Sequence, residues 1–130
     1  MKADLTAPII EIVRNIEGLA CAFHHGSSLN GYLRPDSDVD IALLFFPEKT
    51  LGWMELQGYA IEAEKRLGYP IHFSVLSTRD LVFAKEVIAT GKEIFCADAF
   101  YCGSFAMHVL SMYTWLNFER REVLKQYGAG

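Results

Sequence analysis

Gly26-Ser27-Ser28-Leu29-Asn30-Gly31-Tyr32-Leu33-Arg34-Pro35-Asp36-Ser37-Asp38-Val39-Asp40 is the stretch on which the fold turns. It begins at a Gly-Ser turn beyond one apolar run, Leu19 to Phe23, and ends on two aspartates that open another, Asp38 to Phe46. Both runs are short and bounded by turn residues, which predicts two buried strands. Side chains alternate along a strand, so Asp38 and Asp40 are predicted to project from the same face. Gly26 permits a tight turn and close approach of the backbone. The amides from Gly26 to Ser28 can then point at phosphate oxygens, with the Ser27 hydroxyl as a further donor. Two hard carboxylates beside such a turn suit magnesium, which binds through one or two carboxylates together with substrate phosphates.

Outward from this stretch, helices and strands alternate. Thr6 can cap a first helix with Pro8 in its opening turn, and Ile9, Ile12, Val13 and Ile16 recur at helical spacing before Gly18. Downstream, Trp53, Leu56, Ala60, Ala63 and Leu67 trace one face of a second helix that Gly68 and Pro70 stop. Ile71 to Leu76 reads as a third strand. Ser77 or Thr78 can cap a helix from about Asp80 to Ala89, ended by Gly91. Glu93 to Cys96 is a candidate edge strand. From Ala99 to Tyr127 the absence of proline predicts a long helix, with Gly103 as a point of bending. The alternation implies an α/β fold, with the pairing of the strands left open.

The chain has 130 residues, about the size of one domain, and a single domain spanning residues 1–130 is expected. Twelve basic residues against sixteen acidic ones, scattered apart from Arg120-Arg121, do not build the concentrated basic face that nucleic-acid binding needs. No run approaches the roughly 18 apolar residues of a membrane span, and no signal pattern opens the chain, so a cytoplasmic protein without a membrane partner is expected. Cys21, Cys96 and Cys102 are odd in number and lack Cys-x-x-Cys spacing, which predicts buried free thiols rather than a disulfide framework.

Gly26, Ser27, Asp38 and Asp40, with ten residues between the pairs, resemble the signature of the minimal nucleotidyltransferases of the DNA polymerase beta superfamily. The helix before Leu19, the Ser37-Asp38 pair and the pattern from Ile71 through Gly91 to Phe95 fit as well, so the resemblance covers most of the chain. It implies a two-layer nucleotidyltransferase fold: a small mixed sheet, helices packed on it and a long C-terminal helix. It also implies transfer of a nucleoside monophosphate, AMP above all, from ATP or another nucleoside triphosphate, with release of pyrophosphate. Asp38 and Asp40 would bind Mg2+, and Gly26 and Ser27 would hold phosphate. Small members of this family often act as antitoxins beside a helical HEPN ribonuclease toxin, and some adenylylate a tyrosine on it, which makes a HEPN toxin the implied partner.

Two positions depart from the pattern. The family supplies a third carboxylate from a neighbouring strand, and that place falls on His72, a poorer magnesium partner. His72 is read as a packing residue, a substitute general base or, less readily, a metal ligand. Where the family carries arginine before the glycine that follows the turn, this chain has Asn30, and Arg34 is the candidate replacement for the lost phosphate contact. A catalytically weak fold that neutralises its partner by binding is therefore the second reading. Of His24 and His25, which adjoin the turn, at most one is expected to face a nucleotide, because neighbours on a strand point opposite ways. A zinc site lacks ligand spacing, and Ser27 lacks the setting of a hydrolase nucleophile. Phe100, Tyr101, Phe105, Met107, Leu110, Met112, Tyr113, Trp115, Leu116 and Phe118 read either as core or as a partner surface. A homo-oligomer is left open.

Overall fold

The run opened by Asp38 becomes an inner strand of a four-stranded mixed sheet. The structure, a computed structural model, describes residues 6–30, 38–48 and 51–126. Its elements are helix α1 (Thr6–Val13), strand β1 (Leu19–His25), strand β2 (Val39–Phe45), helix α2 (Trp53–Leu67), strand β3 (Ile71–Val75), helix α3 (Leu81–Thr90), strand β4 (Lys92–Cys96) and helix α4 (Ala99–Gln126). The strands lie in the order β3-β2-β1-β4. β2 runs parallel to β3 and antiparallel to β1, and β4 returns antiparallel to β1 at the edge. The β2-to-β3 crossover needs a helix between parallel neighbours, and α2 supplies it.

β2 is apolar at nearly every position because both of its faces are covered. Val39, Ile41 and Leu43 join Ile9, Ile12 and Val13 of α1 and Leu56, Ala60 and Ala63 of α2 in one core. Ala42 and Leu44 join Ala84 and Val87 of α3 and Cys102 and Val109 of α4 in a second. The expected mixed sheet and long C-terminal helix are both present. The helices divide two and two between the faces, α1 and α2 on one and α3 and α4 on the other, because an unbroken apolar strand has no solvent face.

Most element limits match the sequence reading, with instructive differences. β1 extends past Phe23 to His25, so both histidines are strand residues. Ser77 accepts from the Arg79 amide and caps a single 3-10 turn, Thr78–Asp80, while Asp80 caps α3 by accepting from the Phe83 amide at 3.3 Å. α4 runs through Gly103 without a break. Trp53, expected on the apolar face of α2, is 73% exposed at the first turn, beyond the reach of the core. Along α4 only Cys102 and Val109 are buried, while Phe100, Met107, Leu110, Met112, Trp115 and Phe118 face solvent. Near its start α4 is tied to the sheet: the Tyr101 hydroxyl donates to the Phe45 carbonyl at 3.3 Å, and its ring lies 5.0 Å from that of Phe46. Among the described residues no helix is long and apolar enough to cross a membrane.

Candidate active site

The turn after β1 and the carboxylate of β2 are in contact. Gly26 adopts φ +83°, and a Cβ built on it would stand 2.5 Å from Asp40 Oδ2, so any side chain there would displace the carboxylate. Both properties call for glycine, since the left-handed region is strained for other residues and the space is already filled. Beyond it the backbone of Ser27–Asn30 coils into one 3-10 turn, closed by the Leu29 amide donating to the Gly26 carbonyl at 3.2 Å. Ser28 is buried with its hydroxyl 2.9 Å from His24 Nε2, which pins the turn to the strand. Asp38 is exposed immediately before β2. Residues 31–37, and Arg34 with them, lie outside the described residues.

Register sets the surroundings of Asp40. It lies opposite His25 on β1 and opposite His72 on β3, so His25, Asp40 and His72 form a row across three strands on one face. His72 Nδ1 is 3.6 Å from Asp40 Oδ1. His72 is thus beside Asp40 on the neighbouring strand, open to solvent rather than packed into the core. His25 carries the only side-chain polar atom among the described residues that is buried without a hydrogen-bond partner, its Nε2. Burial pushes the His25 imidazole below its usual range, opposed by the Asp40 charge and reinforced by His72. His24, one residue earlier, faces the other side, and burial followed by His25 pushes it down too.

Beside the turn on the Asp40 face, a cavity of about 380 Å³ is lined by His25, Gly26 and Leu29 from one side and by Phe83, Glu86, Val87 and Thr90 of α3 from the other. The Phe83 ring stands edge-on to His25 at 5.5 Å. These α3 residues escaped the sequence reading because nothing in their helical spacing says which end of the sheet they will face. His25 was legible only as a neighbour of the turn, and its face follows from the register with Asp40.

The family model for polymerase beta nucleotidyltransferases matches residues 8–100. The chain belongs to this family. In the nucleotidyltransferase fold its relatives among solved structures include a chain of a toxin–antitoxin complex with AMP-PNP, 27% identical at a TM-score of 0.75, covering 94% of this chain and 97% of that one. A chain from a mutant of the toxin–antitoxin pair MntA-HpeT is 26% identical at 0.73, covering 93% and 95%. A chain from the complex of tri-AMPylated Shewanella oneidensis HEPN toxin with MNT antitoxin is 24% identical at 0.70, covering 94% of each. No curated protein matches.

Nucleotidyltransferases of this superfamily use a divalent metal, and the residues here fit one in part. Asp38 and Asp40 are hard oxygen donors, and Asp40 lies against the Gly26 turn. Among the described residues no three His, Cys, Asp or Glu side chains form a ready cage. A cation held here would take its remaining ligands from substrate phosphate and water, as magnesium commonly does.

Proposed function

We propose that this protein is a magnesium-dependent nucleotidyltransferase that moves AMP from ATP to a HEPN toxin and so acts as its antitoxin in the cytoplasm, one minimal nucleotidyltransferase domain serving the whole task. The observation that carries this reading is the contact between the Gly26 turn and Asp40, which supports a turn able to hold phosphate beside a carboxylate able to hold a cation. The likeness to a chain solved in a toxin–antitoxin complex with AMP-PNP supports both nucleotide and partner.

In this reading Asp38 and Asp40 hold Mg2+, and Gly26 and Ser27 hold the triphosphate, with Asn30 and Arg34 as further nucleotide contacts. The bound cation would neutralise charge on the phosphates as the α-phosphorus changes partners. An acceptor hydroxyl attacks that phosphorus, the bond to the bridging oxygen breaks, and pyrophosphate leaves. His72, exposed and beside Asp40, is the side chain positioned to take the proton from the hydroxyl.

The test uses labelled ATP, magnesium and the HEPN protein. Label should pass to the partner with wild-type protein and fall to background with Asp38→Ala plus Asp40→Ala. Transfer unaffected by that double change would sink the proposal. Magnesium and ATP together should also raise the melting temperature, since a ligand of the folded state stabilises it by mass action.

The His72–Asp40 pair also favours a second reading, in which a weak or inactive catalytic centre neutralises the partner by binding alone. That reading expects the double alanine variant to keep neutralising the toxin without transferring label. Loss of neutralisation with binding intact would exclude it.

A further inference from the structure

Cys21 and Cys96 stand directly opposite each other on β1 and β4. The Ala97 amide donates to the Ala20 carbonyl at 2.7 Å, a bond that joins the residue after Cys96 to the residue before Cys21. In an antiparallel ladder this pattern makes Cys21 and Cys96 a non-hydrogen-bonded pair, whose Cα atoms approach to about 4.5 Å with their side chains on one face. Disulfides span Cα separations of roughly 4.4–6.8 Å. From above, Cys102 of α4 comes within hydrogen-bonding reach of both thiols and is itself anchored by donation to the Ala20 carbonyl at 3.3 Å. All three are free thiols; Cys21 and Cys102 are buried as expected, whereas Cys96, on the edge strand, is exposed.

We propose that Cys21 and Cys96 form an oxidation site, closing to a cross-strand disulfide when a peroxide reaches the exposed Cys96, with Cys102 held alongside as a third thiol able to exchange into it. Cys96 sulfur attacks one peroxide oxygen, the O–O bond breaks, and a sulfenic acid forms as the other oxygen leaves as water or alcohol. Cys21 sulfur then attacks the Cys96 sulfur, the S–O bond breaks, and the Cys21 proton leaves with the hydroxide as water. Two thiols are oxidised by two electrons and the peroxide is reduced by two. Burial pushes the Cys102 thiol up to about 11 and the Cys21 thiol higher still, so Cys21 waits as a thiol and gives up its proton to the departing hydroxide as its sulfur attacks, while solvent exposure lets the oxidant reach Cys96 first. The inference rests on the thiols alone and is independent of nucleotidyl transfer.

The full chain would be treated with hydrogen peroxide, then thiols counted and peptides mapped without reduction after cleavage at Lys92 and before Asp98, which separates Cys96 from Cys102. The titre should fall from three thiols to one, the mass should drop by two hydrogens, and Cys21 should be linked to Cys96, all reversed by dithiothreitol. Cys102→Ala should retain that link, and Cys96→Ser, an exposed change that leaves the core intact, should keep its remaining thiols. A link from Cys96 to Cys102 alone, a dimer joined through Cys96, or oxidation seen only once the chain is unfolded would overturn the proposal.

Discussion

At the scale of single residues, Gly26 and His24 make opposite kinds of prediction. Gly26→Ala places a methyl group 2.5 Å from Asp40 Oδ2 in a backbone region that costs about 1–2 kcal/mol for residues with a Cβ. Thermal unfolding should show a loss of about that size, and nucleotide binding should fall further than stability, because the carboxylate must move. His24 predicts a pH dependence. Its folded value is depressed, so between that value and the usual value of about 6.5 the unfolded chain binds a proton that the folded chain does not. Its stability is therefore complete above about pH 6.5 and declines as pH falls through that window. His24→Gln can still meet Ser28 and removes the titration, so its melting temperature should vary less than wild type between about pH 7 and pH 5. The proximity of Gly26 to an acid was legible from the sequence, because the spacing of the motif carries it. The resemblance pointed to His72, but the row that joins His25, Asp40 and His72 was not legible, because the registers among three strands are fixed by packing.

At the scale of elements, helix periodicity proved a sound guide to where helices lie and a weaker one to what they bury. Leu56, Ala60 and Ala63 are buried as their spacing predicts, whereas Trp53, one step nearer the start of α2 on the same face, is exposed. Glycines within helices behave according to the space and backbone around them. At Gly58 in α2 and Gly103 in α4 an added Cβ would meet nothing within 4 Å, so alanine at either should stabilise by about 0.5–1 kcal/mol through reduced backbone entropy of the unfolded chain. Gly68 is the contrast: at φ +79° it ends α2 with its amide donating to the Glu64 carbonyl, and Gly68→Ala should destabilise by about 1 kcal/mol although the space around it is open. Denaturant midpoints of the three single variants test the pattern, and equal signs for all three would contradict it.

At the scale of the whole molecule, the sheet is covered on both faces, yet the outer half of α4 carries apolar area that the described residues do not cover. Trp115 and Phe118 stack with ring centroids 5.6 Å apart while 60% and 52% exposed. Isolated exposed apolar residues are ordinary, but a contiguous aromatic patch is a feature of interaction surfaces. Within the proposed pairing with a HEPN toxin, Trp115→Ser plus Phe118→Ser should leave stability within about 0.5 kcal/mol of wild type, as surface changes do, and weaken the complex. Co-purification of the two proteins at matched concentration measures this, and an undiminished complex would move the interface elsewhere.

The sequence by itself determined the order and type of the elements, the glycine at the turn and the carboxylate pair that follows it, because each depends on local periodicity or on spacing along the chain. Only the tertiary structure decided that Asp40 sits in a row with His25 and His72, that α3 closes a cavity beside Gly26, and that Cys96 on the edge strand faces Cys21. Those relations join residues distant along the chain. They follow from which strands pair, in which direction and register, and that choice is made by the competition of all the apolar faces for a common core.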